Sequence, residues 1–333
     1  MNYLIAYFSL LIYTLLKDEN LGVKMELVNG KEIMQHALKN NYGIGAFNFI
    51  NVETLKSILD TAEENRSPVI VQCSTGAIKY AGLDTLVAMC KAYAKNMTVP
   101  VCLNLDHGKT FEDCKACIDA GFTNVMIDAS HLPTEENIAL TKRVVEYAHA
   151  RNVTVEAEIG VLAGVEDEVS ATEDEARYTD PQQAYDFVKA TGVDSLAIAI
   201  GTSHGTVKFK GEAKLRFDIL DEVGRLLPGF PIVLHGASSI PQDMVALAEQ
   251  YGAKLKGSCG IPENMLREAC SMAVCKINVD SDLRLCFTAG IRKSLVENPE
   301  NVDMRKYNTE GMNLIKLAVK NKMDNVFGSS NRY

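Results

Sequence analysis

The sequence predicts a single closed (β/α)8 TIM barrel of the α/β class, with an extra N-terminal helix and a C-terminal helical extension. Short apolar segments of strand length recur eight times, and segments with helical periodicity separate them. This alternation is typical of a closed parallel barrel rather than an open sheet. The chain of 333 residues suits one barrel with additions, since such barrels commonly take about 250 residues.

The eight predicted strands are nearly continuous apolar runs, the pattern of strands that are buried on both faces. They cover residues 43–49, 69–73, 99–105, 124–128, 153–159, 195–201, 231–236 and 275–280. No linker or low-complexity stretch interrupts the alternation, so residues 25–333 are predicted to form one domain.

Capping residues and apolar periodicity predict the helices. Asn51 is a suitable N-cap for a helix whose apolar positions 55, 58, 59 and 62 share one face. Another apolar face covers residues 83–94, and Thr110 and Thr134 begin the next two predicted helices. The extra N-terminal helix is predicted over residues 30–40, and two helices close the chain over 282–295 and 307–325. The long acidic segment 161–179 is predicted to be an irregular, functional lid.

The first residues need a separate interpretation. Residues 1–16 are apolar, but the run is shorter than the roughly 20 residues of a membrane-spanning helix. It also lacks the basic flank and small-residue cleavage site of a secretory signal. Because Met25 directly precedes the first globular-looking segment, residues 1–24 are predicted to be an appendage outside the fold, such as a misassigned start. A weak membrane-directing leader is the alternative.

Composition excludes several classes of function. The formal net charge of −9, from 34 basic and 43 acidic residues, argues against a nucleic-acid-binding surface, and we expect neither nucleic acid nor membrane as a partner. Nine cysteines without paired metal-finger spacing indicate reduced thiols in a cytoplasmic protein. Cys114 and Cys117 fall on one face of a predicted helix, so burial is expected rather than a redox or metal role.

Four of the six histidines close predicted strands or begin the following loops. The four are His107, His131, His204 and His235, while His36 and His149 lie on predicted helices as ordinary surface or interface residues. Active sites of these barrels lie at the carboxyl ends of the strands. Three neutral imidazoles with one open position form a catalytic zinc site. Four histidines at one rim favour metal binding over simple hydrogen bonds to loop carbonyls, although their spacing does not decide which three bind.

Carboxylates are predicted at the same rim. Asp106 stands beside the first of these histidines, and the others are Asp128, Glu158 and Asp280, with Glu166 and Asp167 on the acidic segment. Next to a metal, a carboxylate serves as a general acid or base or orients a ligand. For Asp167, the simpler explanation is a solvated charge or a loop cap. That explanation fits Asp106 less well, because Asp106 ends an apolar strand.

Three loops of small residues predict a phosphate site. Residues 236–239 and 278–281 follow the seventh and eighth predicted strands, and residues 201–205 follow the sixth, with Lys208 nearby. Such loops leave backbone N–H groups free for an oxyanion, and a helix N-terminus assists them. Each loop alone is readily explained as a tight turn. Together, at the recurrent phosphate position of these barrels, they indicate an oxyanion site.

The segments LDHG, MIDASH, VEAEIG, GTSHG, LHGASS and KINVDSDLR occur in this order. As a set, they resemble the class II, zinc-dependent fructose-bisphosphate aldolases, especially the shorter subgroup shared with tagatose-bisphosphate aldolases. The resemblance covers about residues 25–325. It implies that His107, His204 and His235 bind zinc and that His131 does not. It also implies Asp106 as the acid/base at the C4 hydroxyl and Glu166 as the group that moves the C3 proton.

The resemblance implies further site residues. Asp128 and Glu158 are similar to carboxylates that orient the ligands or bind the metal in an alternative position. The implied substrate and phosphate contacts are Asn48, Ser74, Gly205, Lys208, Gly236, Ser238, Asn278, Asp280, Ser281, Arg284, Asp303 and Arg305. A monovalent cation, Na⁺ or K⁺, is implied near the glycine loops. So is a homo-oligomer, a dimer or tetramer, in which a neighbouring arginine binds the distal phosphate. Here that segment reads Asp303-Met-Arg305, without the proline typical of the family.

The implied reaction is the cleavage of fructose 1,6-bisphosphate to dihydroxyacetone phosphate and glyceraldehyde 3-phosphate in glycolysis, and its reverse. Zinc stabilises the enediolate, so no Schiff-base lysine is needed, and Lys79 and Lys276 are expected to be surface cations. We expect Asp280 to favour fructose over tagatose 1,6-bisphosphate, and Arg284 to pair with Asp303. Alternatives are a tagatose-bisphosphate aldolase, a zinc hydrolase, and a silent partner subunit, which would be expected to lack the acid/base or a ligand.

Overall fold

The computed structural model describes residues 27–162, 164–166, 169–171, 177–203, 205, 214–255 and 257–333. The strands in this part of the chain are β1 (Ile44–Asn48), β2 (Val69–Ser74), β3 (Val101–Gly108), β4 (Asn124–Ile127), β5 (Thr154–Ile159), β6 (Gly164–Glu166), β7 (Val169–Ala171), β8 (Ser195–Ile198), β9 (Ile232–Leu234) and β10 (Val274–Val279). Eight of them form a closed parallel barrel in the order β1-β10-β9-β8-β5-β4-β3-β2, which confirms the predicted fold class.

The described residues form twelve α-helices, most of which connect successive barrel strands. These are α1 (Gly30–Lys39), α2 (Val52–Glu64), α3 (Thr75–Ala81), α4 (Leu83–Ala94), α5 (Phe111–Ala120), α6 (Thr134–His149), α7 (Pro181–Thr191), α8 (Phe217–Leu226), α9 (Gln242–Gln250), α10 (Glu263–Cys270), α11 (Ser281–Glu297) and α12 (Met304–Asn321). A π-helix, Lys322–Phe327, continues α12. His36 and His149 lie on α1 and α6, as predicted.

Local sequence accounts for most of these elements. Every residue of the eight barrel strands is buried, which explains their apolar composition. Asn51 and Thr110 each form a capping box at the start of their helices, as their side chains predict. Cys114 and Cys117 are buried, as expected, and burial raises the pKa of the Cys117 thiol to about 12.

Several elements differ from the prediction, among them α10, which adds a second helix between β9 and β10. Helix α3 was not predicted, and it begins directly after β2, where Ser74 accepts a hydrogen bond from the Ala77 N–H. Segment 161–179 is not wholly irregular, because β6 and β7 pair as an antiparallel hairpin. The closing helix starts three residues earlier than predicted and ends in the π-helix.

None of the helices in the described part of the chain has the length and apolarity to cross a membrane. The predicted appendage, residues 1–24, lies outside the described residues.

Candidate active site

The carboxyl ends of β3, β5 and β9 bring five buried groups together. They are Asp106, His107, Asp128, Glu158 and His235, and each is less than 9% exposed. Asp128 directly follows β4, and His235 directly follows β9. Most of the predicted site residues in the described part of the chain therefore lie at the rim formed by the carboxyl ends of the strands.

The backbone of β3 departs from regular geometry at His107. Successive side chains of a strand point to opposite faces, so Asp106 and His107 would not both point into the barrel. His107 has a φ of 103°, which non-glycine residues rarely adopt, and the pairing of β3 with β4 shifts register between Leu105 and Gly108. This bulge turns the His107 side chain toward Asp106. Neighbours in sequence thereby become neighbours in the site.

His107 is held by carboxylates on both sides of its ring. Its Nδ1 lies 3.0 Å from Asp128 Oδ2, and its Nε2 lies 3.6 Å from Asp106 Oδ1. Burial lowers the pKa of His107, but Asp106 and Asp128 outweigh burial and raise it to about 10. Burial also raises the pKa of Asp128, but the hydrogen bond with His107 holds it well below its usual range. Asp128 thus orients the ring with Nε2 toward Asp106.

His235 is oriented in the same way by a different carboxylate. Its Nε2 lies 2.8 Å from Glu156 Oε1, and its Nδ1 lies 3.2 Å from Glu158 Oε2. Burial lowers the pKa of His235, and the two glutamates outweigh burial and raise it. The ring packs edge-on against His107, with centroids 4.6 Å apart.

This group of residues has the chemistry of a divalent metal site. Asp106, His107 and His235 each offer one ligand atom, and these three atoms lie within 4.8 Å of one another. The same holds for a second group, His107, Asp128 and Glu158. His235 Nδ1 and Glu158 Oε2 are buried and lie 3.2 Å apart, but neither forms a hydrogen bond of regular geometry in the described structure. Imidazole nitrogens beside carboxylate oxygens suit a divalent cation, so the residues fit the implied metal.

Asp106 accepts a hydrogen bond at each carboxylate oxygen. Asn278 Nδ2 donates to Oδ1 at 2.8 Å, and Asn48 Nδ2 donates to Oδ2 at 2.9 Å. Ser74, on the neighbouring strand, is the register partner of Asp106. A buried carboxylate with two fixed amide donors is poised to accept a proton from a substrate hydroxyl.

The predicted phosphate loops lie next to this group of residues, since Asn278 at the start of one loop contacts Asp106. Gly236 has a φ of 57°, and a Cβ there would lie 2.6 Å from the Ser203 carbonyl oxygen, so only glycine fits between the two loops. The Ser281 hydroxyl, in the first turn of α11, donates to the Gly205 carbonyl at 3.5 Å. Ser238 is buried in the same loop as Gly236. Loops after three strands thus contact one another at the start of α11, and a helix N-terminus favours an anion.

Several predicted residues cannot be placed at the site. His204, Lys208 and Asp167 lie outside the described residues, and Glu166 ends β6. His131 is exposed after β4 and belongs to neither group of ligands found in the described chain.

The predicted pairing of Arg284 with Asp303 does not form within one subunit. Arg284 binds Asp280, with Nε 2.9 Å from Oδ1 and an NH2 group 2.7 Å from Oδ2, because the two residues are one turn apart on α11. Asp303 instead caps α12 and accepts hydrogen bonds from the backbone and guanidinium of Arg305.

The expectation that Lys276 is a surface cation is also wrong. Lys276 is 0% exposed, and its Nζ lies 2.9 Å from Glu156 Oε2. The ammonium charge lowers the pKa of Glu156 to about 2, although burial alone would raise it. Lys79, by contrast, is exposed.

Sequence reasoning missed four polar residues of the barrel interior. They are Gln72, Asn104, Glu156 and Lys276, and all are fully buried. The available signal was an isolated polar residue within a strand whose neighbours are apolar on both sides. Such a residue must find a partner, because an unpaired buried polar group is costly.

Comparisons with known proteins agree with this geometry. The family model of class-II fructose-bisphosphate aldolase matches residues 28–332. A fructose-bisphosphate aldolase of Treponema pallidum is 49% identical, covering 92% of this chain and 97% of its own. One from Helicobacter pylori strain J99 is 48% identical, covering 92% and 99%. The crystal structure of the YdjI aldolase from Escherichia coli K12 is similar, with a TM-score of 0.75 and 31% identity over 92% of this chain and 99% of that chain.

Proposed function

The chain belongs to the class II fructose-bisphosphate aldolase family and is a metal-dependent aldolase; we propose that His107, His204 and His235 hold its metal ion and that this ion is Zn²⁺. The reaction is the reversible cleavage of fructose 1,6-bisphosphate to dihydroxyacetone phosphate and glyceraldehyde 3-phosphate. Zinc supplies positive charge for the oxygens that become negative when the C3–C4 bond breaks. The remaining steps belong to side chains of the protein.

Asp106 carries the proposal. Its carboxylate is buried beside His107 and His235, and both its oxygens accept hydrogen bonds from amides. In cleavage, Asp106 accepts the proton of the C4 hydroxyl while the C3–C4 bond breaks and C4 becomes the aldehyde carbon. Glu166 then returns a proton to C3, a role that rests on the family resemblance.

Asp128, Glu156 and Glu158 prepare the histidines for the metal. Asp128 binds His107 at Nδ1, and Glu156 binds His235 at Nε2. The opposite nitrogen of each ring is thereby directed toward the ligand group. Carboxylates in this position fix ring orientation and tautomer in metal sites. Glu158, 3.2 Å from His235 Nδ1, offers an alternative carboxylate ligand.

The substrate lies between two phosphate sites. The loops that contain Gly205, Gly236, Ser238 and Ser281, together with Lys208, bind the phosphate of the dihydroxyacetone half, and a monovalent cation, Na⁺ or K⁺, binds near them. Arg305 of a neighbouring subunit binds the distal phosphate in a dimer or tetramer. The side chain of Arg305 is 87% exposed and pairs with its own helix cap, Asp303, which supports a role outside its own subunit.

Asp280 distinguishes the two C4 epimers in this proposal. The tight pair with Arg284 holds its carboxylate beside Ser281, so Asp280 offers a fixed acceptor for one sugar hydroxyl. We propose fructose 1,6-bisphosphate as the preferred substrate and tagatose 1,6-bisphosphate as the alternative. The proposed setting is cytoplasmic glycolysis and gluconeogenesis.

Cleavage assays with both epimers test the proposal. The purified protein should cleave fructose 1,6-bisphosphate, lose activity when a chelator removes its metal, and regain activity with Zn²⁺. Full activity in metal-free protein, or trapping of a covalent lysine adduct by borohydride, would contradict a metal-based mechanism. A preference for the tagatose epimer would contradict only the substrate assignment.

A further inference from the structure

The two amides that hold Asp106 are effective in only one orientation. Asn278 and Asn48 each turn an NH2 group toward a carboxylate oxygen. A carboxamide rotated by 180° has nearly the same shape but would present its carbonyl oxygen. Two facing oxygens repel each other, so a flipped amide would push the carboxylate away. Whatever fixes these two amides therefore determines the position of Asp106.

Lys276 fixes the first amide. Its Nζ donates to Asn278 Oδ1 at 2.7 Å. Because an ammonium group has donors and no acceptor, Asn278 must keep its oxygen toward Lys276 and its NH2 group toward Asp106. The ammonium is fully buried, and the carboxylate of Glu156 on β5 balances its charge.

Gln72 fixes the second amide. Its Nε2 donates to Asn48 Oδ1 at 2.7 Å, which leaves Asn48 Nδ2 to face Asp106. Gln72 in turn accepts a hydrogen bond at Oε1 from Asn104 Nδ2, at 3.0 Å. Asn48, Gln72 and Asn104 are register partners on β1, β2 and β3, so the pairing of the strands itself aligns their side chains.

The same direction of donation continues to the far end of the barrel. Asn124 Nδ2 donates to Asn104 Oδ1, and the Thr154 hydroxyl donates to Asn124 Oδ1. Thr154 Oγ1 accepts from the Gly30 backbone N–H at 2.9 Å. A backbone N–H has no acceptor function, so every group in this chain directs its donor toward Asp106.

We propose that Lys276 and Gln72 are positioning residues for Asp106, each fixing the orientation of the amide that holds one oxygen of its carboxylate. The inference rests on the proposed role of Asp106 as the group that accepts the C4 hydroxyl proton. Neither residue touches the substrate. Their effect on proton transfer at C4 passes through Asn278, Asn48 and Asp106, whereas the ion pair of Lys276 with Glu156 is a separate contact on the side of His235.

A double-mutant cycle tests this pathway. Lys276→Met and Gln72→Met each remove the donor and keep a side chain of similar length. Each should lower kcat by about 10- to 100-fold, the range for losing a hydrogen bond to a charged group, while KM changes little. In an Asp106→Ala background, assayed at high enzyme concentration, neither substitution should lower kcat further, because the group through which it acts is gone.

A partial reaction separates positioning from a general loss of structure. Exchange of the C3 protons of dihydroxyacetone phosphate with solvent requires no proton transfer at C4. Both variants should therefore retain this exchange and bound zinc while losing cleavage. Because Lys276→Met leaves Glu156 as an unbalanced buried charge and is the variant at risk of misfolding, Gln72→Met, which changes no charge, provides the independent test.

Lys322 provides a matched control. It is also a buried lysine, and its Nζ lies 3.0 Å from both Glu263 and Asp282. Lys322→Met therefore also removes a paired buried ammonium, but one without a hydrogen bond to Asn278 or Asp106 in the described structure. Lys322→Met should therefore lower kcat by the same factor in the Asp106→Ala background as in the wild-type protein.

Three results would overturn the inference. One is a further loss of kcat when Lys276→Met or Gln72→Met is added to Asp106→Ala. Another is the loss of C3 exchange in parallel with cleavage. Either would show that Lys276 and Gln72 act by another route. Normal turnover in Asp106→Ala would contradict the proposed function and, with it, this inference.

Discussion

The inner and outer parts of the candidate site are built differently. In the inner part, at the carboxyl ends of β3, β5 and β9, each described group binds residues from other strands and is nearly inaccessible to solvent. In the outer part, at the starts of α11 and α12, the charged side chains pair within their own helices, as Arg284 does with Asp280 and Arg305 with Asp303.

This difference follows from what each part must do. Groups that hold a metal and accept a proton at a defined atom need orientation before substrate arrives, because reorganising them during the reaction is costly. Groups that bind an exposed phosphate need only charge and reach. We therefore expect substitutions of the inner part to affect metal and kcat, and those of the outer part to affect KM and substrate choice.

Loss of the metal should have the largest effect. Chelation, or His235→Ala, is expected to reduce cleavage to the background rate, because the metal ion supplies the positive charge that stabilises the developing oxyanion. Added Zn²⁺ should restore the chelated wild-type protein. Activity and metal content by atomic emission are the measurements. A metal-free protein that remains active would show that the inner part does not depend on a cation.

Asp106→Ala should have the next largest effect. It should retain zinc and lose about 10²-fold or more in kcat, the usual size of a general acid/base contribution. Steady-state kinetics on zinc-loaded protein measure this, with KM expected to change less than kcat. If the variant instead loses zinc and regains near-normal turnover when reloaded, Asp106 serves the metal site and not proton transfer.

Asp280→Ala should change the choice between the two epimers. A single hydrogen bond to a substrate hydroxyl accounts for about 1–3 kcal/mol, so the wild-type preference for fructose 1,6-bisphosphate should be tens- to hundreds-fold and should fall in the variant. The ratio of kcat/KM for the two epimers is the measurement. Arg284→Met is a useful companion, because it removes the partner and keeps the carboxylate. Equal wild-type values for the two epimers would contradict the assignment of Asp280.

Arg305→Ala should have the smallest effect on the chemical step. Removing one charged contact to a phosphate should raise KM for the bisphosphate by about 10- to 100-fold, since such contacts contribute about 1.5–3 kcal/mol, while kcat stays within a few-fold. The control substrate is fructose 1-phosphate, which lacks the distal phosphate and should respond much less to the substitution. An equal loss with both substrates would place Arg305 outside the distal phosphate site.

Much of the fold is readable from the chain because it depends on local chemistry. Continuous apolar runs predict strands buried on both faces, and Asn51 and Thr110 predict helix starts through their own side chains. The barrel then implies that strand-end residues such as His107 and His235 share one rim. That reasoning needs only the order of elements and the shape of a closed parallel sheet.

Other features depended on partners distant in sequence. Arg284 was expected to reach Asp303, but a carboxylate one helical turn away is closer. Helix α3 was missed because its first turn is capped by Ser74, a residue that also ends a strand.

The sequence by itself determined the barrel, its helix starts and the rim on which the histidines and carboxylates lie, because periodicity and capping act within a few residues. The tertiary structure alone decided that Lys276 is buried against Glu156, 120 residues earlier, and that the bulge at His107 turns this side chain toward Asp106. Both depend on which strands become neighbours when the barrel closes. Burial of a lysine requires an opposite charge that only the closed barrel brings within reach.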